Sequence, residues 1–247
     1  WKECGLEADA REVVFFGFDN NVETLREGTD RELSVPVPFG RSMSLDDAMN
    51  LNLLLAYERN GKPLEKRNGA PLRLIVPGWY GIANIKWLKR IEVRDSRYMG
   101  RFMGRDYVTV RGHRNEGEVE FVETSVSRMN LKSIVARITT RSRNKDAVLK
   151  SYGAAWDDGT GISKVQIQVD GGEWQDAKLD EAPRAPFSWV FFSRELGALK
   201  PGKHRVVSRA IDVNGRIQPS AQEDEIALKK TYWEAYQQWP REIDVAG

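Results

Sequence analysis

The stretch Pro71-Leu72-Arg73-Leu74-Ile75-Val76-Pro77-Gly78 constrains this chain more than any other. Four aliphatic residues closed by Pro-Gly read as a short strand ending in a turn. Arg73 sits inside that strand, and an unpaired buried cation is costly, so its side chain must snorkel outward or meet an anion. Beyond the turn, Asn84-Ile85-Lys86-Trp87-Leu88 alternates polar and apolar residues, and it begins a second strand predicted over Ile85–Val93. Upstream, Asn60-Gly61 marks a turn after a strand at Leu53–Glu58. A hairpin-rich segment that carries cations within its strands is the local architecture these residues dictate.

The same punctuation divides the whole chain. Over residues 1–115 a strand at Val13–Phe18 leads into a polar loop, then Pro36, Pro38 and Gly40, then Ser44 with Asp47 three residues on. That spacing predicts a capped helix ending near Leu51. Strands and short helices alternate irregularly, which predicts an α+β domain. Residues 116–130, rich in Glu, read as a connector. From Ser133 onward the pattern is wholly β, with strands at Ser133–Thr139, Val148–Ala155, Val165–Val169, Phe187–Phe192 and His204–Asp212. Glycine turns between them at sandwich-like spacing predict an immunoglobulin-like β-sandwich, with Trp156, Trp174 and Trp189 as core or inter-strand aromatics.

Bulk properties narrow the function. With 247 residues, two domains are the natural division. The formal charge of +2, from 38 basic and 36 acidic residues, argues against a nucleic-acid coat, although Arg97, Arg101, Arg105, Arg111 and Arg114 cluster locally. There is no apolar run long enough to span a membrane. A single cysteine excludes an internal disulfide, and two histidines with one cysteine do not build a common zinc or haem site. Trp1-Lys2-Glu3-Cys4-Gly5-Leu6 reads as the last turn of a helix stopped by glycine. We therefore expect a segment upstream of Trp1.

The residues quoted above carry a family resemblance. The N-G-x-P-L turn, the P-L-R-L strand and the I-K-W-L segment resemble the second half of the molybdopterin-binding domain of sulfite oxidase-type enzymes, and the resemblance continues over nearly the whole chain. It implies an incomplete α+β molybdopterin-binding domain over residues 1–122, followed by an all-β immunoglobulin-like dimerisation domain over 123–247. It also implies bound molybdopterin, with Arg73, Asn84, Lys86 and the backbone around Ile85 as cofactor contacts. Without it, Arg73 and Lys86 would read as surface cations. Asn68, in Arg67-Asn68-Gly69-Ala70-Pro71, stands where better-known members have histidine. It is retained as a contact, against a plain turn role before Gly69.

Tyr107, in Arg105-Asp106-Tyr107, resembles the tyrosine that reaches the substrate pocket. A phenol with an ordinary pKa near about 10 stays protonated at neutral pH and donates to an anion. Arg241, in Trp239-Pro240-Arg241, matches an arginine that adds charge to that pocket. No residue of this chain is assigned to the metal: the ligand cysteine of the family falls upstream, and Cys4 is expected to pack as a small apolar residue. The implied activity is oxygen-atom transfer to sulfite or a related small oxyanion, with electrons leaving to an external acceptor such as a cytochrome c. A homodimer and a periplasmic location are the accompanying expectations. The alternative is a cofactor-free fragment, or an immunoglobulin-like module for subunit association or binding.

Overall fold

A computed structural model describes residues 3, 5–143, 146–181 and 185–246. The helix end expected at the start of the chain and the lone Cys4 lie largely outside these residues. The chain divides into two units, the first comprising Trp1–Thr109 with Glu123–Ser127 and the second Val110–Val122 with Arg128–Gly247.

The first unit is built on a three-stranded antiparallel sheet, order β2-β1-β7, from β1 (Glu12–Leu25), β2 (Leu33–Ser44) and β7 (Leu88–Arg94). Its centre is apolar because Val13, Phe15 and Met43 pack against Leu74, Val76 and Ile85 in one core cluster. The loop expected after Phe18 is instead strand: β1 continues through Asn20–Leu25 because β2 pairs with it beyond a bulge at Phe16/Asn20. Backbone pairing wins over local polarity there. Helix α1 (Leu45–Asn50) starts as expected, the Ser44 hydroxyl accepting from the Asp47 N–H at 3.0 Å. Asn60 (φ 53°) and Gly61 (φ 72°) form the hairpin turn between β4 (Glu58–Arg59) and β5 (Lys62–Pro63). Strand β3 (Leu54–Ala56) pairs with β6 (Arg73–Ile75), and α2 (Arg101–Gly104) follows β7. The unit is thus mostly sheet, its helices being one or two turns each, so the α+β expectation holds only in part.

The residues read as a connector are a hairpin: β8 (Val108–Asn115) pairs with β9 (Glu118–Ser125) across Glu116 and Gly117, both at positive φ. The glutamates point to solvent, and their charge hid a strand alternation.

In the second unit, two four-stranded antiparallel sheets share one apolar core. One runs β10-β11-β15-β14, with β10 (Lys132–Arg143), β11 (Asp146–Trp156), β14 (Lys178–Leu179) and β15 (Val190–Gly197). The other runs β13-β12-β16-β17, with β12 (Ile162–Val169), β13 (Gln175–Asp176), β16 (Gly202–Asp212) and β17 (Pro240–Val245). Val135, Ala155, Val190 and Phe192 from the first meet Val165, Ile167, Val206 and Ala210 from the second. A four-residue helix, α3 (Asp224–Ala227), precedes the return to β17. Of the two expected placements the tryptophans take the inter-strand one: Trp189 is 57% exposed and stacks on Trp156 across the strands, while Trp174 carries the Arg209 guanidinium over its ring. Among the described residues no helix is long and apolar enough to cross a membrane.

Candidate functional site

Strand β6 sends Leu74 into the core and turns Arg73 and Ile75 the other way, the period-two alternation of a pleated strand. The facing segment is held by backbone bonds, Leu74 N–H to Ile85 O at 2.9 Å and Leu88 N–H to Leu72 O at 2.8 Å. These bonds place Arg73, Asn84 and Lys86 around one cavity of about 200 Å³, which Asp19, Phe39 and Trp87 also line. Hydrogen bonds fix two of the three. Arg73 donates from Nη1 to the Asn68 carbonyl at 3.1 Å, and the Asn84 Oδ1 accepts from the Val76 N–H at 2.6 Å. Asn84 therefore has its amide NH2 to offer a ligand.

The turn before β6 must come close for this. Gly69 has φ +105°, and a Cβ there would lie 3.0 Å from both Cα and Cβ of Lys86. Trp87 closes the same contact, donating from its N–H to Gly69 O and from Nε1 to Lys66 O. Ile85 is 1% exposed, with its side chain in the core, its N–H on Ala83 O and its carbonyl holding Leu74. Asn68 ends the 3-10 turn Lys66–Asn68, its carbonyl holding Arg73.

One observation shows what the cavity suits. Arg73 Nε is buried and has no acceptor in the protein. A buried guanidinium N–H without a partner is costly, and an anionic ligand oxygen removes that penalty. With Lys86 on the same cavity, the site fits a phosphate-bearing group, opposed only by the exposed carboxylate of Asp19. A larger hollow of about 470 Å³ beside β7 is walled by Glu7, Asp9, Glu92 and Asp95 against the single cation Arg94, a net negative lining that would repel such a group. Among the described residues no three His, Cys, Asp or Glu side chains gather to hold a metal.

Tyr107 is half-buried in the same unit, its ring 6.4 Å from Phe102 and its carbonyl accepting the Val126 N–H at 2.9 Å. It is not among the residues lining the Arg73 cavity. Its neighbours in sequence are committed elsewhere, Arg105 to Glu23 and Asp106 to Arg101. Sequence reasoning missed the residue that organises this region. Arg41 is 3% exposed and donates to the carbonyls of Phe102 and Val126, on the two segments that flank Tyr107. Burial holds its pKa down to about 10, so it stays charged at neutral pH. Nothing in Phe39-Gly40-Arg41-Ser42-Met43 distinguishes this arginine from a solvated one. Arg241 lies in the second unit, exposed on β17 and paired in register with Val206.

The folds and the cation-lined cavity agree with the comparisons. Residues 1–102 match the oxidoreductase molybdopterin-binding domain, and residues 123–234 match the Mo-co oxidoreductase dimerisation domain. These matches give the chain a molybdopterin-binding oxidoreductase domain followed by a Mo-co dimerisation domain. Mitochondrial sulfite oxidase of Homo sapiens is 30% identical, over 87% of this chain and 38% of its own length. Nitrate reductase [NADH] 2 of Phaseolus vulgaris is 26% identical, over 88% of this chain and 26% of its own length. The sulfane dehydrogenase SoxCD of Paracoccus pantotrophus superposes with a TM-score of 0.73 at 21% identity, covering 98% of this chain and 57% of that one. The chain belongs to the sulfite oxidase family, whose cofactor is molybdopterin. It spans well under half the length of these curated relatives.

Proposed function

We propose that this chain is the cofactor-anchoring and subunit-pairing part of a molybdenum oxidoreductase that oxidises sulfite or a related small sulfur oxyanion. The unsatisfied Arg73 Nε beside Lys86 carries the reading. Arg73 grips the phosphate of the pterin, Lys86 adds a point charge, and Asn84 donates from its amide. Asn68, through its carbonyl on Arg73, and Ile85, through its backbone bonds to Leu74 and Ala83, position that wall from outside the lining. When bound, the cofactor supplies oxygen-atom transfer and two-electron redox chemistry.

Tyr107 then acts on the substrate, its hydroxyl donating to an anionic oxygen, and Arg41 holds the two segments that aim it. Arg241 is the cation assigned to the anionic substrate. Such donors help in proportion to their preorganisation. Electrons pass to an external carrier, of which a cytochrome c is the simplest. We take the sandwich as immunoglobulin-like, the assembly as a homodimer and the compartment as periplasmic.

The test is retention of the cofactor. Losing one charge-assisted bond at about 1.5–3 kcal/mol weakens binding by roughly 10- to 150-fold in each variant. Full-length Arg73→Gln and Lys86→Met proteins should therefore purify with little molybdenum by elemental analysis and little pterin fluorescence after oxidation. Wild-type levels in both variants, or a wild type carrying neither molybdenum nor pterin, would refute the reading.

A further inference from the structure

Phe102, on the single turn α2, belongs neither to the apolar core cluster of the first unit nor to the lining of the Arg73 cavity. Its half-buried ring stands between two others. The Phe39 centroid is 4.7 Å away at an interplanar angle of 40°, and the Tyr107 centroid is 6.4 Å away at 38°. Both separations fall in the range over which tilted aromatic pairs attract. Phe39 lines the cavity, so the row Phe39, Phe102, Tyr107 runs from the cavity wall to the tyrosine without a break.

The backbone around this row is pinned. One guanidinium, that of Arg41, donates to the carbonyls of Phe102 and Val126, and the Val126 N–H donates in turn to Tyr107 O at 2.9 Å. Both ends of the segment 102–107 thus hang on a single side chain. Between them Ser125 Oγ donates to Met103 O at 2.5 Å, and Arg101 Nε to Asp106 Oδ2 at 2.7 Å. Arg41 lies two residues after Phe39 on β2, so the cavity wall and the clamp share one strand. With its main chain held, what remains to Tyr107 is rotation of its side chain between staggered positions.

We propose that Phe102 is a positioning residue that sets the Tyr107 ring from the wall of the cofactor cavity. The inference rests on the reading above, in which the cavity holds the pterin and Tyr107 meets the substrate, and it adds the link between the two. A ligand packed against Phe39 removes the space into which that ring could turn. Phe102 loses the same freedom against Phe39, and Tyr107 loses it against Phe102. Close-packed rings pass on a displacement because their contacts leave little slack. The chemistry is sensitive to such movement, since a misplacement of about 1 Å can cost roughly 100-fold in rate.

The experiment is fluorine NMR of the full-length protein with 3-fluorotyrosine in place of tyrosine, compared between cofactor-loaded protein and cofactor-free protein from cells that cannot make the pterin. The line absent from Tyr107→Phe belongs to Tyr107. In wild type that line should differ between the two forms. In Phe102→Leu the difference should collapse, and sulfite turnover per bound molybdenum should drop by about 10-fold or more. Phe102→Tyr, which keeps the ring, should restore both. Phe39→Leu cuts the row at its other contact, and it decides the matter if Phe102→Leu does not fold. A wild-type Tyr107 line that is the same in both forms would overturn the link alone. So would folded Phe102→Leu and Phe39→Leu proteins that keep the wild-type line difference and turnover per molybdenum, as a role in stability only would leave them. Unchanged turnover in Tyr107→Phe, or a wild type without molybdenum, would instead overturn the reading beneath it.

Discussion

Replacing Gln218 with Met removes the most densely bonded side chain of the second unit at little change of volume. Gln218 is 0% exposed. Its Oε1 accepts from Ser133 N–H at 2.9 Å, Ser133 Oγ at 2.7 Å and Ala210 N–H at 3.1 Å. Its Nε2 donates to the carbonyls of Tyr236 at 3.0 Å and Gln237 at 3.1 Å, and to Ser133 O at 3.3 Å. The amide thus ties β10, β16 and the segment leading to β17. The Ser133 hydroxyl keeps Ser208 as a partner, so the main loss falls on the two backbone N–H groups. An orphaned buried donor costs about 1–3 kcal/mol, which gives about 3–5 kcal/mol for the pair together with the three loosened carbonyls. Urea unfolding followed by tryptophan emission includes this unit, whose Trp156, Trp174, Trp189, Trp233 and Trp239 contribute beside Trp79 and Trp87 of the first unit. With a slope of about 2 kcal/mol/M the midpoint should fall by about 1.5–2.5 M. A loss below about 1 kcal/mol would mean the orphaned groups find new partners, and the reasoning would be wrong.

Two further outcomes are expected. His204 has both ring nitrogens against acceptors, Asp170 Oδ2 at 2.6 Å and Lys200 O at 2.7 Å, an arrangement that favours the protonated ring. The Asp170 bond, the Lys200 carbonyl and nearby Asp244 raise its pKa, while the same His204 bond and the Arg205 N–H lower that of Asp170. A raised histidine stabilises fully below its ordinary pKa and loses this as pH rises through the folded value; the depressed carboxyl stabilises above its ordinary pKa and loses this in acid. The melting difference between wild type and His204→Gln should therefore be largest between about pH 4 and 6.5 and shrink in alkali; a constant difference from pH 5 to 9 would contradict this. Arg41→Lys keeps the buried charge but reaches only one of the Phe102 and Val126 carbonyls. It should lose about 1–3 kcal/mol in thermal unfolding, and a melting temperature matching wild type would count against the clamp.

What was legible in the sequence was what local chemistry controls. Ser44 and Asp47 announced their helix, Asn60-Gly61 its hairpin, and the Leu-Arg-Leu alternation placed Arg73 opposite Leu74. The family likeness then supplied the partner that spacing left open, and Arg73, Asn84 and Lys86 do share a cavity. What escaped notice depends on contacts far apart in the chain. Arg41 is 61 residues from Phe102 and 85 from Val126, so its burial leaves no mark in its own neighbourhood. The β8–β9 hairpin was hidden by glutamates on its wet face, and β1 runs on through Asn20 and Asn21 because β2 lies beside it. For Trp189 the choice between core and inter-strand placement stayed open because a lone tryptophan does not reveal which side of a pleat it occupies.

The two prolines of β2 have a bearing on how this protein avoids its own kind of misassembly. β2 is an outer strand, and Pro36 and Pro38 stand opposite Val22 and Asn20 on β1. Two positions apart, they delete donors along the same flank, the one turned away from β1. An intruding strand would find carbonyls there without the N–H groups needed to zip up alongside. The long hairpin is thereby sealed against templated growth by imino acids instead of by charge.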